Sequence, residues 1–304
     1  LKEYLYQHDV AFVIMNAGMH WRFNNILKLC TERKIPLILE ICEWYDKSSF
    51  RLKAFDPRYI LMNRCMNYAF YSANGIIAIS RLLADHFAKR KIPVIRIPTI
   101  MDTHTLTYSK PIEYKRIRLI HAGTAVIHKE KFKNILLAIK AFDNKNFFEF
   151  YIYGSDRATV LKNIDNDSSL LDSLDGSVYI MGKIPQQEVH QAYMDADYSI
   201  FIREDKRSSH AGFPTKLAES MAAGTPVITN DTGDIGLYLK NGENGYLLQD
   251  TSPESIKKVL EKILQLTSEE TIEMRSKARK TAEKKFDFRV YKQIMQEFLE
   301  DVCR

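Results

Sequence analysis

Ala196-Asp-Tyr-Ser-Ile-Phe-Ile-Arg203-Glu-Asp-Lys-Arg-Ser-Ser-His-Ala211-Gly-Phe-Pro-Thr-Lys-Leu-Ala-Glu219-Ser-Met-Ala-Ala-Gly224-Thr-Pro-Val-Ile-Thr-Asn-Asp231 reads as strand, loop, short helix, turn, strand. Residues 198–202 are a short apolar run of the kind a buried parallel strand shows, and a polar loop runs from there to Gly212. Pro214 suits the first position of a helix, where its missing N–H costs nothing. Residues 216–223 are good helix formers, and Gly224 with Thr225-Pro226 stops the helix before a strand at 227–229. The loop at 211–215 therefore lies where a strand's carboxyl end feeds a helix's amino end. There the N–H groups of Thr215, Lys216 and Leu217, the helix dipole and the Lys216 ammonium should together attract an anion. Glu219 lies about one turn further on, within reach of a ligand's hydroxyl groups. A diphosphate joined to a ribose matches that pair of features.

The run from Gly212-Phe213-Pro214-Thr215-Lys216-Leu217 through Glu219 to Gly224-Thr-Pro-Val resembles the donor-binding signature of family 4 glycosyltransferases, retaining enzymes of the GT-B fold. That signature has two glutamates with seven residues between them. The second matches Glu219, which by the resemblance binds ribose hydroxyls; the first falls on Ala211. The Phe-Pro-Thr-Lys form is similar to a variant branch of bacterial polysaccharide transferases.

The resemblance covers most of the chain and implies two doubly wound, Rossmann-like α/β domains facing across a cleft. The rest of the sequence agrees with that class. Strand-like runs at 9–15, 36–41, 75–80 and 93–98 alternate with helical stretches at 21–33, 60–73 and 81–91. A second series follows, with strands at 117–122, 148–153 and 178–181 and helices at 131–142 and 186–194; amphipathic helices close the chain. The expected domains are 1–106 on the acceptor side, 107–286 for the nucleotide sugar, and a final helix at 287–304 crossing back to the first. The acceptor domain of this fold opens with a strand and a glycine-rich loop, and neither precedes Asp9, so the first domain is expected to lack its N-terminal part.

Further site residues follow from the resemblance. Gly123 ends the first strand of the second domain, and Lys131 and Lys133, with Lys129 behind them, are the candidates for the diphosphate. Thr124 stands where the family often has an arginine. Tyr153-Gly154 and Gly182-Lys183-Ile184 end strands where a base could approach the backbone. Arg203 directly follows the strand at 198–202 and is expected to face phosphate or pair with Glu204 and Asp205. In the first domain Glu43 lies in a loop after a strand. It is a candidate to accept the acceptor's proton or bind the sugar. Lys216 is the candidate for stabilising charge on the departing diphosphate.

Composition limits the alternatives. The chain has 304 residues, net charge +6 and no apolar run long enough to span a membrane. Its four cysteines, Cys30, Cys42, Cys65 and Cys303, form no Cys-x-x-Cys pair, and its histidines, His20, His104, His121, His128, His190 and His210 among them, show no metal spacing. No cofactor and no metal are expected. Residues 1–110 carry 16 Lys and Arg against 9 Asp and Glu, the remainder 28 against 29, so the basicity belongs to the first half. An anionic membrane surface fits that asymmetry better than nucleic acid, which would call for an aromatic platform.

The expected function is transfer of a hexose-like sugar from a nucleoside diphosphate sugar to a hydroxyl of a lipid-linked or oligosaccharide acceptor in polysaccharide synthesis, in the cytoplasm or at the inner membrane face. The alternative is a non-transferring nucleotide-sugar enzyme or an inactive donor-binding subunit on the same fold, which Ala211 favours.

Overall fold

The computed structural model describes residues 1–18, 20–106, 116–123, 130–142 and 147–304. The chain forms two compact units, one of Leu1–Thr99, Lys206–Phe213 and Phe288–Arg304, the other of Ile100–Asp205 and Pro214–Asp287.

The first unit is built on a parallel sheet of β1 (Val13–Asn16), β2 (Leu37–Ile41), β3 (Gly75–Ala78) and β4 (Val94–Arg96), in that order. Its strands are apolar because both faces are covered. Ile76 and Ala78 join a core with Leu37, Leu39, Phe70 and Phe87 on one side. Ile38, Ile77 and Ile95 meet Phe298 and Val302 of the final helix, Lys292–Val302, on the other. Gly75 is what lets that helix lie so close, since a Cβ there would stand 2.7 Å from both Phe298 and Val302.

The helix expected at 60–73 starts earlier, at Pro57. Asp56 caps it through the Arg58 amide at 3.0 Å, and proline occupies its first turn. It also ends earlier, at Asn67, and a short 3-10 turn, Ala69–Ser72, follows.

The second unit carries six parallel strands: β5 (Ile117–Ala122), β6 (Phe148–Tyr153), β7 (Val178–Gly182), β8 (Tyr198–Ile200), β9 (Val227–Asn230) and β10 (Gly245–Leu248). Their order is β10-β9-β8-β5-β6-β7. From β5 the chain moves outward one way through β6 and β7, then returns and moves the other way from β8. The switch point between β5 and β8 is where sheets of this kind open a crevice at their carboxyl ends.

Two domain boundaries also differ from the sequence reading. The first is at the start of the second unit. Residues 100–106 belong there because the Met101 amide donates to the Phe286 carbonyl at 2.8 Å and the Thr103 hydroxyl to Asp287 Oδ2 at 2.6 Å. Residues 107–115, directly after the expected boundary, lie outside the described residues. The second concerns Lys206–Phe213, read as a polar loop of the second domain, which instead carries a short helix, Arg207–Ala211, and packs within the first unit. Ala211 is fully buried there and its carbonyl accepts the Ser80 hydroxyl at 2.7 Å. The Ser208 amide donates to Asp46 Oδ2 at 3.0 Å, and the Arg207 guanidinium lies 4.6 Å over the Trp44 ring. Contacts more than a hundred residues apart decide the segment's place, and local pattern carries no trace of them.

Among the described residues no helix is long and apolar enough to cross a membrane, and no group of His, Cys, Asp and Glu could hold a metal ion.

Candidate functional site

At the carboxyl end of the second sheet, β5, β6, β7 and the helix Thr215–Ala222 surround a pocket of about 430 Å3. Gly123, Gly154, Lys183, Ile184, Thr215, Lys216 and Glu219 line it. Two glycines make the close approach. Gly154 has φ +88°, and a Cβ on it would stand 2.7 Å from the Gly123 carbonyl carbon. Gly123, at φ +137°, would with a Cβ collide with Lys216 Cε at 2.7 Å. The lysine stem therefore lies across bare backbone.

The helix supplies less than the sequence suggests. Pro214 is its N-cap rather than its first residue, and the Leu217 amide already donates to the Pro214 carbonyl at 3.1 Å. The amides of Thr215 and Lys216 remain for a ligand. Leu217 and its side chain are core.

Behind Lys216 lies a buried acid that the sequence reading missed. The Lys216 ammonium donates to Glu130 Oε1. The other Glu130 oxygen is 2.9 Å from His121 Nε2, and His121 Nδ1 is 3.2 Å from the Ile200 carbonyl. Burial alone would raise the Glu130 pKa, but His121 and Lys216 together hold it down at about 2. Burial lowers that of His121, against the pull of Glu130. The acid is thus ionised near pH 7, and the Lys216 ammonium is the fixed charge that answers it. No local pattern marks such a pair, since 86 residues separate its members.

Glu219 is half-buried on the pocket wall. Burial raises its pKa, while Lys216 and a hydrogen bond with Gln186 lower it. A carboxylate so placed can accept from two adjacent hydroxyls.

Residues 113–285 match the family model described as glycosyl transferases group 1. The chain belongs to the group 1 glycosyltransferases. No curated protein matches it by sequence.

Among solved structures, this glycosyltransferase is similar to Anabaena HepE in complex with UDP and glucose, with TM-score 0.73, 16% identity, and 93% of this chain and 77% of that one covered. It is also similar to a sucrose-phosphate synthase from Thermosynechococcus elongatus, with TM-score 0.73, 15% identity, and 98% and 75% covered. The pneumococcal O-GlcNAc transferase GtfA, in complex with UDP and GlcNAc, gives TM-score 0.62 at 20% identity, and 90% of this chain spans 55% of its length. At these identities the likeness is one of fold, two Rossmann-like units of the GT-B class.

The other residues singled out in the glycosyltransferase's sequence lie as follows. Lys131 Nζ donates to Thr251 Oγ1 at 3.0 Å and Lys133 Nζ to Asp165 Oδ2 at 2.8 Å, so both ammonium groups are turned to other partners and neither lines the pocket. Lys131 only precedes the helix Phe132–Lys140, whose apolar face fixes its direction. Thr124 and Lys129 lie outside the described residues. The Arg203 guanidinium reaches Thr232 Oγ1 at 3.3 Å, away from the pocket lining. Gly182 accepts the Gly154 amide at 2.7 Å and faces a separate hollow of about 570 Å3 beside Asp156, Asp172 and Asp175. Gly212 and Phe213 are buried within the first unit, with the Gly212 amide donating to the Ser208 carbonyl at 3.1 Å.

Glu43 is exposed at the carboxyl end of β2. It borders a pocket of about 170 Å3 in the first unit with Asn16, His20 and Cys42. Burial, with Glu40 and Glu43 nearby, pushes the Cys42 thiol up to about 11, which leaves it an inert neutral group.

Proposed function

We propose that this glycosyltransferase is a retaining enzyme that moves a sugar from a nucleoside diphosphate sugar to a hydroxyl acceptor. The observation that carries the reading is one pocket holding the Gly123-Gly154 backbone, the Thr215 and Lys216 amides, the Lys216 ammonium and the Glu219 carboxylate. Amides and ammonium suit a diphosphate, and the carboxylate suits a ribose diol. UDP in the HepE and GtfA structures supports uracil as the base. Fixed N–H donors and a cation would stabilise the charge that grows on the departing diphosphate. Glu43, across from no other acid in its small pocket, is the candidate to hydrogen-bond the acceptor or the sugar.

A lipid-linked acceptor at an anionic membrane surface is supported by one stretch of the first unit. Leu52, Phe55 and Ile60 are exposed there, Phe55 at 84%, among Arg51, Lys53, Arg58 and Arg64.

The deciding experiment is calorimetric titration with UDP and with uridine. Glu219→Ala should weaken both by about 2 to 4 kcal/mol, the worth of one or two hydrogen bonds to a charged group. Lys216→Ala should weaken UDP alone. Unchanged UDP affinity in both variants refutes the assignment.

Ala211 keeps a second reading in view, that of a subunit that binds the sugar nucleotide without transferring. The position is sealed in an apolar core, so no carboxylate can be presented to a sugar from it. Label from a radioactive nucleotide sugar appearing in a lipid or glycan product excludes that reading.

A further inference from the structure

Lys216 is the cation of the proposed site, yet lysine is a poor fixed charge. Its four-carbon stem has many rotamers, and at the start of a helix it would sweep the pocket mouth. Here it does not. The stem is laid over Gly123, whose missing Cβ would otherwise stand 3.2 Å from Nζ, and the side chain is only 16% exposed.

The group that holds it is itself held from three directions. The Glu130 side chain is 9% exposed. Its backbone pairs with Arg203 beyond the end of β8, and the next amide, Lys131, donates to the Ile202 carbonyl at 3.1 Å. Its second oxygen meets His121 of β5 at 2.9 Å, and that ring rests edge-on against Phe132 with centroids 4.5 Å apart. The chain beyond β8 and His121 of β5 thus aim one buried carboxylate at one ammonium.

We propose that Glu130, anchored by His121, is a positioning residue that fixes Lys216 across Gly123 so that the ammonium's other two N–H donors meet the diphosphate of the sugar donor. The proposal rests on the donor-pocket reading above. Its physical content is preorganisation. One of the three donors is spent on Glu130, and the remaining two no longer have to be ordered when the ligand arrives. The arrangement also has an electrostatic cost, because a buried anion stands close behind the cation and repels a diphosphate.

Those two effects have opposite signs, so one substitution separates them. Glu130→Gln keeps the volume and removes the charge. If Glu130 were only a neighbouring anion, the change would tighten UDP. If it positions Lys216, UDP should weaken three- to tenfold while uridine, which has no diphosphate, binds as before. In a Lys216→Ala background nothing is left to position, so the same Glu130→Gln change should no longer weaken UDP and should tighten it.

The measurement is calorimetric affinity for UDP and uridine with the four proteins of that cycle. UDP affinity unchanged or raised by Glu130→Gln alone overturns the proposal, as does an equal weakening in both backgrounds. Should Glu130→Gln not fold, Glu130→Asp, which keeps the charge but withdraws it by one methylene, must also weaken UDP and spare uridine; wild-type UDP binding overturns the proposal. Failure of the donor-pocket reading looks different. There Lys216→Ala alone would leave the ratio of UDP to uridine affinity untouched.

Discussion

Gly154→Ala tests whether the floor of the pocket is as tightly specified as its geometry implies. At φ +88° an alanine is strained, by an amount of order 1–3 kcal/mol. Its Cβ would also press on Gly123 at 2.7 Å from the carbonyl carbon, 2.8 Å from the oxygen and 3.0 Å from Cα. All three atoms are backbone, so no side chain can swing aside, and overpacking of this kind adds about 1–3 kcal/mol. About 3 kcal/mol in total corresponds to a fall in Tm of roughly 6–12 °C for a unit of this size. Gly176→Ala is the control. Its φ of +75° imposes a similar conformational strain, but nothing lies within 4 Å of the added methyl, so only that first cost of about 1–3 kcal/mol remains. Differential scanning calorimetry should therefore rank Gly154→Ala well below Gly176→Ala. UDP affinity should fall in the first and not in the second, because the shifted Gly123 backbone carries the Lys216 stem. Equal Tm values together with intact UDP binding in Gly154→Ala would refute the close-approach argument.

Arg275 is fully buried and donates to the Ala196 carbonyl at 2.6 Å and the Met194 carbonyl at 3.1 Å. Arg275→Ala should cost about 3–5 kcal/mol in urea unfolding, since it strands those carbonyls and leaves a cavity. A loss under 1 kcal/mol would show that they find other partners. Acid stability should also carry the mark of Glu130. Its pKa, held at about 2, lies below the ordinary 4.5, so its contribution is complete above pH 4.5 and is lost as pH falls toward 2. Thermal scans between pH 2 and 5 should show a shallower slope for Glu130→Gln than for wild type, and parallel slopes would contradict the ionised, paired state.

The elements around the pocket were legible because each is written locally. Apolar runs of four to six residues gave β5, β6 and β9, and Gly224 with Pro226 gave the end of the helix Thr215–Ala222. Gly224 indeed takes φ +71°, the left-handed turn that ends such helices. The helix Ser268–Lys285 begins at a Thr267 and Glu270 capping box that sequence inspection could have found. The expected boundary at 106 and the course of 206–213 were not legible. Buried bonds such as Thr103 to Asp287 and Ser80 to Ala211 decide them, and neither end of such a bond carries a mark of its partner.

The lysines show the same division with more consequence for function. Four were candidates for the diphosphate on sequence; Lys129 lies outside the described residues, and the other three differ little in local setting: Lys131 precedes a helix, Lys133 lies in its first turn, and Lys216 lies in the first turn of another. What separates them is the backbone each stem crosses and the acid each ammonium meets. Lys133 ends on the exposed Asp165 and Lys131 on a hydroxyl, contacts of the ordinary surface kind worth little. Lys216 ends on an acid that is itself buried, ionised and anchored, and its stem lies over Gly123. A buried charge is tolerated only where it is answered, so an acid placed there at such cost marks the cation it answers. On that ground Lys216, rather than its two rivals, is the lysine on which loss of UDP affinity should fall.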